Sequence, residues 1–179
     1  MAIDRERLFA IFSNIGTALK RPATLCLIGS APAIHRGQAE RQTQDIDVWA
    51  PQSDFDQGDL AQACQSAGIV FNPVGEVSST DLYLQVVRPG VVALPTKFEP
   101  EIFARFGKLV VAMAPPAILA ASKLTRASER DVADIVWWLN TCRIELDEME
   151  TAISQLPNAL DRETAAENML LVRLIAGKG

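Results

Sequence analysis

Asp45 and Asp47 stand one residue apart in the stretch "DIDVWA", where Ile46, Val48 and Ala50 alternate with Asp45, Asp47 and Trp49. A period of two is the signature of a strand, so both carboxylates project from one face with their backbones about 6.5–7 Å apart. Like charges held this way repel unless a cation lies between them. Hard divalent ions take oxygen ligands, and Mg²⁺ (or Mn²⁺) binds through a few carboxylates together with substrate phosphates. Pairs of such ions clamp the attacking and leaving oxygens of a phosphoryl displacement. Upstream, the apolar run "TLCLIG" ends in Gly29-Ser30. The glycine lets backbone approach a ligand, and the start of a helix after it offers free N–H groups to an anion. A phosphate cradle facing a carboxylate pair is the equipment needed to handle a nucleoside triphosphate. A D-x-D on an exposed strand face is usually just solvated. The order apolar strand, Gly-Ser, polar loop, then D-x-D in an alternating strand is much rarer, and it favours the functional reading.

The elements that must position these residues can be read from periodicity. Leu8, Ile11, Phe12, Ile15 and Leu19 fall at helical spacing, which predicts an amphipathic helix over 4–20 ended by Pro22. Residues 24–29 read as a buried strand, and Ser30 can cap a helical turn through Ile34. "HRGQAERQTQ" is a polar loop, with His35 in it. A lone loop histidine is more often a surface residue than a base. After "DIDVWA" and the stop at Pro51 comes a helix over 53–67 ended by Gly68, then a possible strand at "IVFNPVG". "DLYLQVV" and "VVALP" read as a strand pair or one bent strand around Pro89-Gly90, and "KLVVAM" as the last strand. From Pro115 the texture is helical: "PPAILAASKLTRA", "SERDVADIVWWLN" capped by Ser128, then 145–155 and 158–176. Trp137 and Trp138 are adjacent and cannot face the same way, so one is core and the other more exposed. The expected fold class is mixed α/β (α+β): a small mixed sheet over 1–114 flanked by helices, with a helical C-terminal part over 115–179 packed into one unit with it.

The bulk composition bounds the function classes. The chain has 179 residues, is 49% hydrophobic, and carries a formal net charge of -5. That is ample apolar material for a core without staples. An acidic balance argues against a large nucleic-acid acceptor, because nothing broadly basic is present to hold one. Three scattered cysteines, Cys26, Cys64 and Cys142, fit reduced thiols in a cytoplasm better than a disulfide or zinc framework. The longest apolar runs are broken by prolines and too short to span a bilayer, so no membrane role is expected.

The stretch Gly29-Ser30 followed by Arg41-x-Thr43-x-Asp45-Ile46-Asp47 resembles the signature of the DNA polymerase β-like nucleotidyltransferase superfamily. It looks most like the small bacterial group with an R-x-T-x-D-I-D motif, which includes toxin-type members of abortive-infection and toxin–antitoxin systems. A second block is similar to that group's K-x₆-R-D-x-x-D motif, carried here by Lys123, Arg130, Asp131 and Asp134. The two blocks span roughly residues 24 to 140. The resemblance implies that Asp45 and Asp47 hold Mg²⁺ or Mn²⁺ and that Gly29 and Ser30 contact the triphosphate. It adds Arg41, Thr43, Lys123 and Arg130 as nucleotide contacts, with Asp131 and Asp134 orienting the cations. Arg130 and Asp134 are four apart and can pair across a helical turn, and Lys123 would share a side with Arg130 if one helix carried both. A third carboxylate is expected from a neighbouring strand. Asp81, opening "DLYLQVV", is the best placed, with Glu76 and Glu99 weaker alternatives, because positions 83 and 85 are Tyr and Gln. Two functions stay open on this reading. One is metal-dependent transfer of a nucleotidyl group from an NTP to a hydroxyl acceptor. The other is a catalytically inactive protein of this fold that binds a nucleotide or an antitoxin-like partner.

Overall fold

The computed structural model describes residues 2–38 and 41–176, so two residues of the polar loop lie outside it. The chain divides into two units: Met1–Arg88 with Glu99–Ala114, and Pro89–Phe98 with Pro115–Gly179. The segment Pro89–Phe98 therefore groups with the helices, although it lies within the span expected for the sheet. No helix among the described residues is long and apolar enough to cross a membrane.

The first unit holds the whole sheet. Asp4 accepts from the Arg7 N–H at 2.9 Å and starts α1 (Arg5–Ala18), whose Leu8, Ile11, Phe12 and Ile15 are buried at helical spacing. Then come β1 (Ala23–Leu27), the short α2 (Ala31–His35) and β2 (Asp45–Trp49). A 3₁₀ turn at Ala50–Gln52 contains Pro51, and Asp56 caps α3 (Gln57–Ser66). Four further strands follow: β3 (Val70–Phe71), β4 (Tyr83–Val87), β5 (Glu101–Phe106) and β6 (Leu109–Met113). They make one six-stranded sheet in the order β3-β4-β2-β1-β6-β5. β1 runs parallel to β6 and antiparallel to β2, while β2 runs parallel to β4, so the sheet is mixed as expected.

Burial explains which strands sit centrally. Leu25, Cys26, Leu27, Ile46, Val48, Leu84 and Val111 are fully buried, as near-continuous apolar central strands should be. Burial also pushes the thiols of Cys26 and Cys64 up to about 12, which makes them packing groups and not nucleophiles. The Ser53 hydroxyl accepts from the Cys26 N–H at 2.9 Å and donates to the Trp49 carbonyl at 2.8 Å, joining β1 to the end of β2. α1 lies against the β5–β6 turn with backbone on backbone. A Cβ on Gly16 would strike the Phe106 carbonyl, and the Lys108 N–H donates to the Gly16 carbonyl at 3.3 Å.

Two expectations need correcting here. "VVALP" forms no strand; Gly90 takes φ +91° between proline and valine, and only an isolated bridge joins Pro89 to Val92. Conversely, β5 has no counterpart in the periodicity reading. It is an edge strand with Glu101, Ile102 and Arg105 exposed, and a register shift between Ile102 and Ala104 breaks its alternation.

The second unit contains α4 (Pro116–Leu124), α5 (Glu129–Cys142), α6 (Leu146–Ser154) and α7 (Ala159–Ala176). Ser128 caps α5, and Arg143 ends it in the left-handed region at φ 53°. Glu145 and Glu148 form a reciprocal capping box at the start of α6. Leu119, Leu124, Ile135, Trp138, Met149, Met169 and Val172 form the helical core. Trp138 is the fully buried member of the tryptophan pair, and Trp137 meets it edge-on with ring centroids 5.0 Å apart.

His35 closes α2 and is no loop residue. Its ring stacks on Phe103 at 3.7 Å between centroids and on Phe9 at 5.1 Å. Its Nδ1 is buried and has no hydrogen-bond partner among the described residues. Burial first, then the charges of Arg5 and Arg36, push this histidine down from 6.5 to about 4. The folded chain thus keeps the ring neutral, and the associated stability is intact above about 6.5 and lost as the pH falls toward about 4. In pH-dependent thermal melts the wild type should lose more stability than His35→Leu across that window, by about 1 kcal/mol after solvent screening of a half-buried ring. Equal slopes for the two proteins would refute the assignment.

Candidate functional site

The site is built where β1 turns into α2 beside β2. The Ile28 N–H donates to the Asp47 carbonyl at 3.0 Å and pins the turn to the strand. Gly29 follows at φ +68°, a conformation that L side chains resist. A Cβ on Gly29 would collide with Asp47 Oδ2 and come within 3.3 Å of its Cγ. The Asp47 carboxylate therefore faces the Gly29 turn and lies over its Cα. Asp45 shares that side of the strand, because Ile46 and Val48 between and beyond the two acids are fully buried on the other. Trp49 ends the acid side of the strand, itself fully buried.

Thr43, Ser30, Arg41, Tyr83 and Gln85 complete this cluster. The Thr43 hydroxyl donates to Asp45 Oδ1, while the Thr43 backbone is held by Ile3 through N–H to carbonyl bonds of 2.7 and 3.3 Å. Arg41 Nη2 donates to Ser30 Oγ at 2.6 Å. On β4, Tyr83 pairs in register with Asp45 and Gln85 with Asp47, which puts phenol and amide on the same face as the two acids. Burial, then the negative charges of Asp45 and Asp47, raises the Tyr83 phenol above its ordinary value. Six of the expected residues, Gly29, Ser30, Arg41, Thr43, Asp45 and Asp47, thus meet within one unit. The signal for Tyr83 and Gln85 lies in the parallel pairing of β2 with β4, which periodicity alone does not supply.

Asp81 stands apart. It is exposed, precedes β4, and its N–H donates to the Ser78 carbonyl at 3.0 Å in a turn. No group of three or more His, Cys, Asp or Glu among the described residues is placed to hold a metal ion, so Asp81 does not complete a three-acid set. The two-acid set itself suits a hard divalent cation: it is all oxygen and shares one face, with the Asp47 carboxylate packed on the Gly29 turn. Arg36, at the end of α2, is engaged by Glu101 at 2.5 Å.

The second block lies in the helical unit. Lys123 is on α4 and Arg130 on α5; the helix breaks between them, with Ala127 at φ 45°. The two cations therefore do not share a helix side. Lys123 is 6% exposed, and its Nζ lies 2.8 Å from Asp134 Oδ2 and 3.5 Å from Asp131 Oδ1. Asp134 takes this lysine in place of the expected Arg130, which is exposed and holds no ion pair among the described residues. Asp131 also accepts from Arg126 Nη2 at 2.9 Å and from the Ser128 hydroxyl at 2.8 Å. Burial alone would raise the Asp131 carboxyl, but these bonds and the charges of Lys123 and Arg126 hold it below its ordinary value.

A family model described as "Nucleotidyltransferase of unknown function (DUF6036)" matches residues 6–172. The chain belongs to this nucleotidyltransferase family. No curated protein and no solved structure matches it. In this DUF6036 protein the match takes in both units, so the helices after residue 140, outside the two motif blocks, are part of the family's common chain.

Two outcomes follow. Gly29→Ala must displace the Asp47 carboxylate and adopt an unfavourable φ. It should cost about 1–3 kcal/mol of stability in denaturant melts. Unchanged stability would show that the acid does not depend on the glycine. Lys123→Met should destabilise by about 3–5 kcal/mol by stranding Asp134, and adding Asp134→Leu should recover much of that loss. Failure of the double variant to exceed the single one in denaturant melts would disprove the ion-pair account.

Proposed function

We propose that this protein transfers a nucleotidyl group from a nucleoside triphosphate to a hydroxyl acceptor, using Mg²⁺ or Mn²⁺ held by Asp45 and Asp47. The observation that carries this reading is the Asp47 carboxylate lying over Gly29, with Asp45 on the same side of β2. The bound ions would offset the charge that develops on the α-phosphate and on the departing pyrophosphate. The chain's own part is positioning. Thr43 fixes one oxygen of Asp45 by donating to it, which orients the carboxylate before any ligand arrives. Gly29, lacking a Cβ, lets the Asp47 carboxylate sit against the turn, and Ser30, held by Arg41, follows it at the start of α2. Arg41 brings a guanidinium to the same rim, suited to phosphate oxygens. These roles rest on residues of the sheet unit alone. Lys123, Asp131 and Asp134 are read as the helical unit's own ion-pair network. The reducing cytoplasm is the proposed location, consistent with free thiols at Cys26, Cys64 and Cys142.

A second reading has its own support. β4 presents Tyr83 and Gln85 where an acid would complete the set, and Asp81 does not replace it. A protein with two carboxylates can hold a metal–nucleotide complex without turning it over, as a nucleotide sensor or a module for an antitoxin-like partner. One experiment separates the readings. Pyrophosphate release and Mn²⁺–NTP-dependent melting are measured for the wild type and for Asp45→Asn with Asp47→Asn. Transfer predicts release that falls by about 10³-fold or more in the double variant, with its fold intact by circular dichroism. Stabilisation of the wild type without release would establish the binding module. Undiminished release in the double variant would remove the site assignment altogether.

A further inference from the structure

The two acids need an incoming hydroxyl on their own side of the sheet, and the chain already places one there. Tyr83 is the chain's single tyrosine, on the strand next to β2, in register with Asp45 and on the face that Asp45 and Asp47 share. Adjacent strands lie about 4.8 Å apart, so side chains paired in register across them are immediate neighbours. A tyrosine also carries its oxygen further from the backbone than an aspartate does, toward the space beyond the acids. The other two hydroxyls of the cluster are committed: Thr43 donates to Asp45, and Ser30 is held by Arg41. No hydrogen bond holds the Tyr83 hydroxyl among the described residues, and the residue is only partly buried.

We propose that Tyr83 is itself a nucleotidyl acceptor, so that the protein modifies its own site. This rests on the nucleotidyl-transfer reading above. The phenolic oxygen attacks the α-phosphorus of a bound nucleoside triphosphate and forms a Tyr–O–P bond. The bond from that phosphorus to the bridging oxygen of the β-phosphate breaks, and pyrophosphate leaves with the electron pair. The phenolic proton passes to solvent. The product is a tyrosyl phosphodiester and no oxidant or reductant is required. Tyr83 is then a catalytic residue in the strict sense, touching the reacting phosphorus. The product would stand in front of Asp45 and Asp47 and close the site to a second nucleotide.

The test uses the full chain, incubated with Mg²⁺ and a mixture of ATP, GTP, CTP and UTP. Pyrophosphate is measured alongside intact mass and the mass of the Tyr83 peptide. The expected result is a nucleotidyl adduct on Tyr83, matched in amount by a burst of pyrophosphate. Tyr83→Phe should carry no adduct and lose the burst by roughly tenfold or more, while its Mn²⁺-induced rise in melting temperature equals that of the wild type. Pyrophosphate release with Tyr83 unmodified, or an adduct that survives in Tyr83→Phe, would overturn the inference and leave nucleotidyl transfer standing. Loss of the Mn²⁺ effect in Tyr83→Phe would overturn it too, by making the phenol part of the metal site. No release from the wild type under any condition would remove both readings together.

Discussion

A carboxylate resting on a glycine Cα is the contact from which the rest of this site is arranged. Asp47 can take that position only because residue 29 has no Cβ, and Gly29 can make the turn only because it tolerates φ +68°. Each half of the contact depends on an element fixed elsewhere. Residue 29 is set by β1, whose register with β6 is complete from Ala23 to Leu27. Asp47 is set by β2, which the fully buried Ile46 and Val48 lock against slippage. A slip of one residue would send both acids into the core. The cost of burying a carboxylate makes that alternative far worse than the native register. The acids help to specify the pairing that presents them.

The helical unit uses charge differently. Lys123, Asp131 and Asp134 are nearly sealed from water, and Arg126 adds a second cation at the rim of the same network. Two carboxylates against two cations leave the cluster balanced, which is what a low-dielectric setting demands. The arrangement ties the end of α4 to the start of α5 across the kink at Ala127. A motif rich in charge can therefore be mainly architectural.

Much of this was legible in the residues, and the failures have a physical pattern. The alternation in "DIDVWA" located β2 and its shared acid face because the opposite face is wholly apolar. The cap at Ser128, the prolines around 115 and the apolar spacing from Leu8 to Leu19 located helices for local reasons that tertiary packing did not override. β5 was missed because an edge strand with a register shift and exposed Glu101, Ile102 and Arg105 has no clean alternation to read. "VVALP" was misread because β-branched residues suggest a strand even where proline and a positive-φ glycine forbid one. Lys123 and Arg130 were grouped by a seven-residue spacing that holds only along an unbroken helix, and the break between α4 and α5 cancels it. His35 was placed in a loop because its stacking partners, Phe9 and Phe103, are far away in sequence and only the fold brings them together.

The identity of the residues on β4 bears on how strongly the two acids can hold metal. An acid at position 83 or 85 would add a third negative charge to the face, and a phenol and an amide add none. Two divalent ions bring four positive charges, of which Asp45 and Asp47 offset half. On the proposed reading, the remainder comes from the triphosphate itself, so ion and nucleotide each strengthen the binding of the other. The Thr43 hydroxyl, which donates to Asp45, and the backbone of Gly29, against which Asp47 rests, keep both carboxylates oriented and leave them little room to turn away.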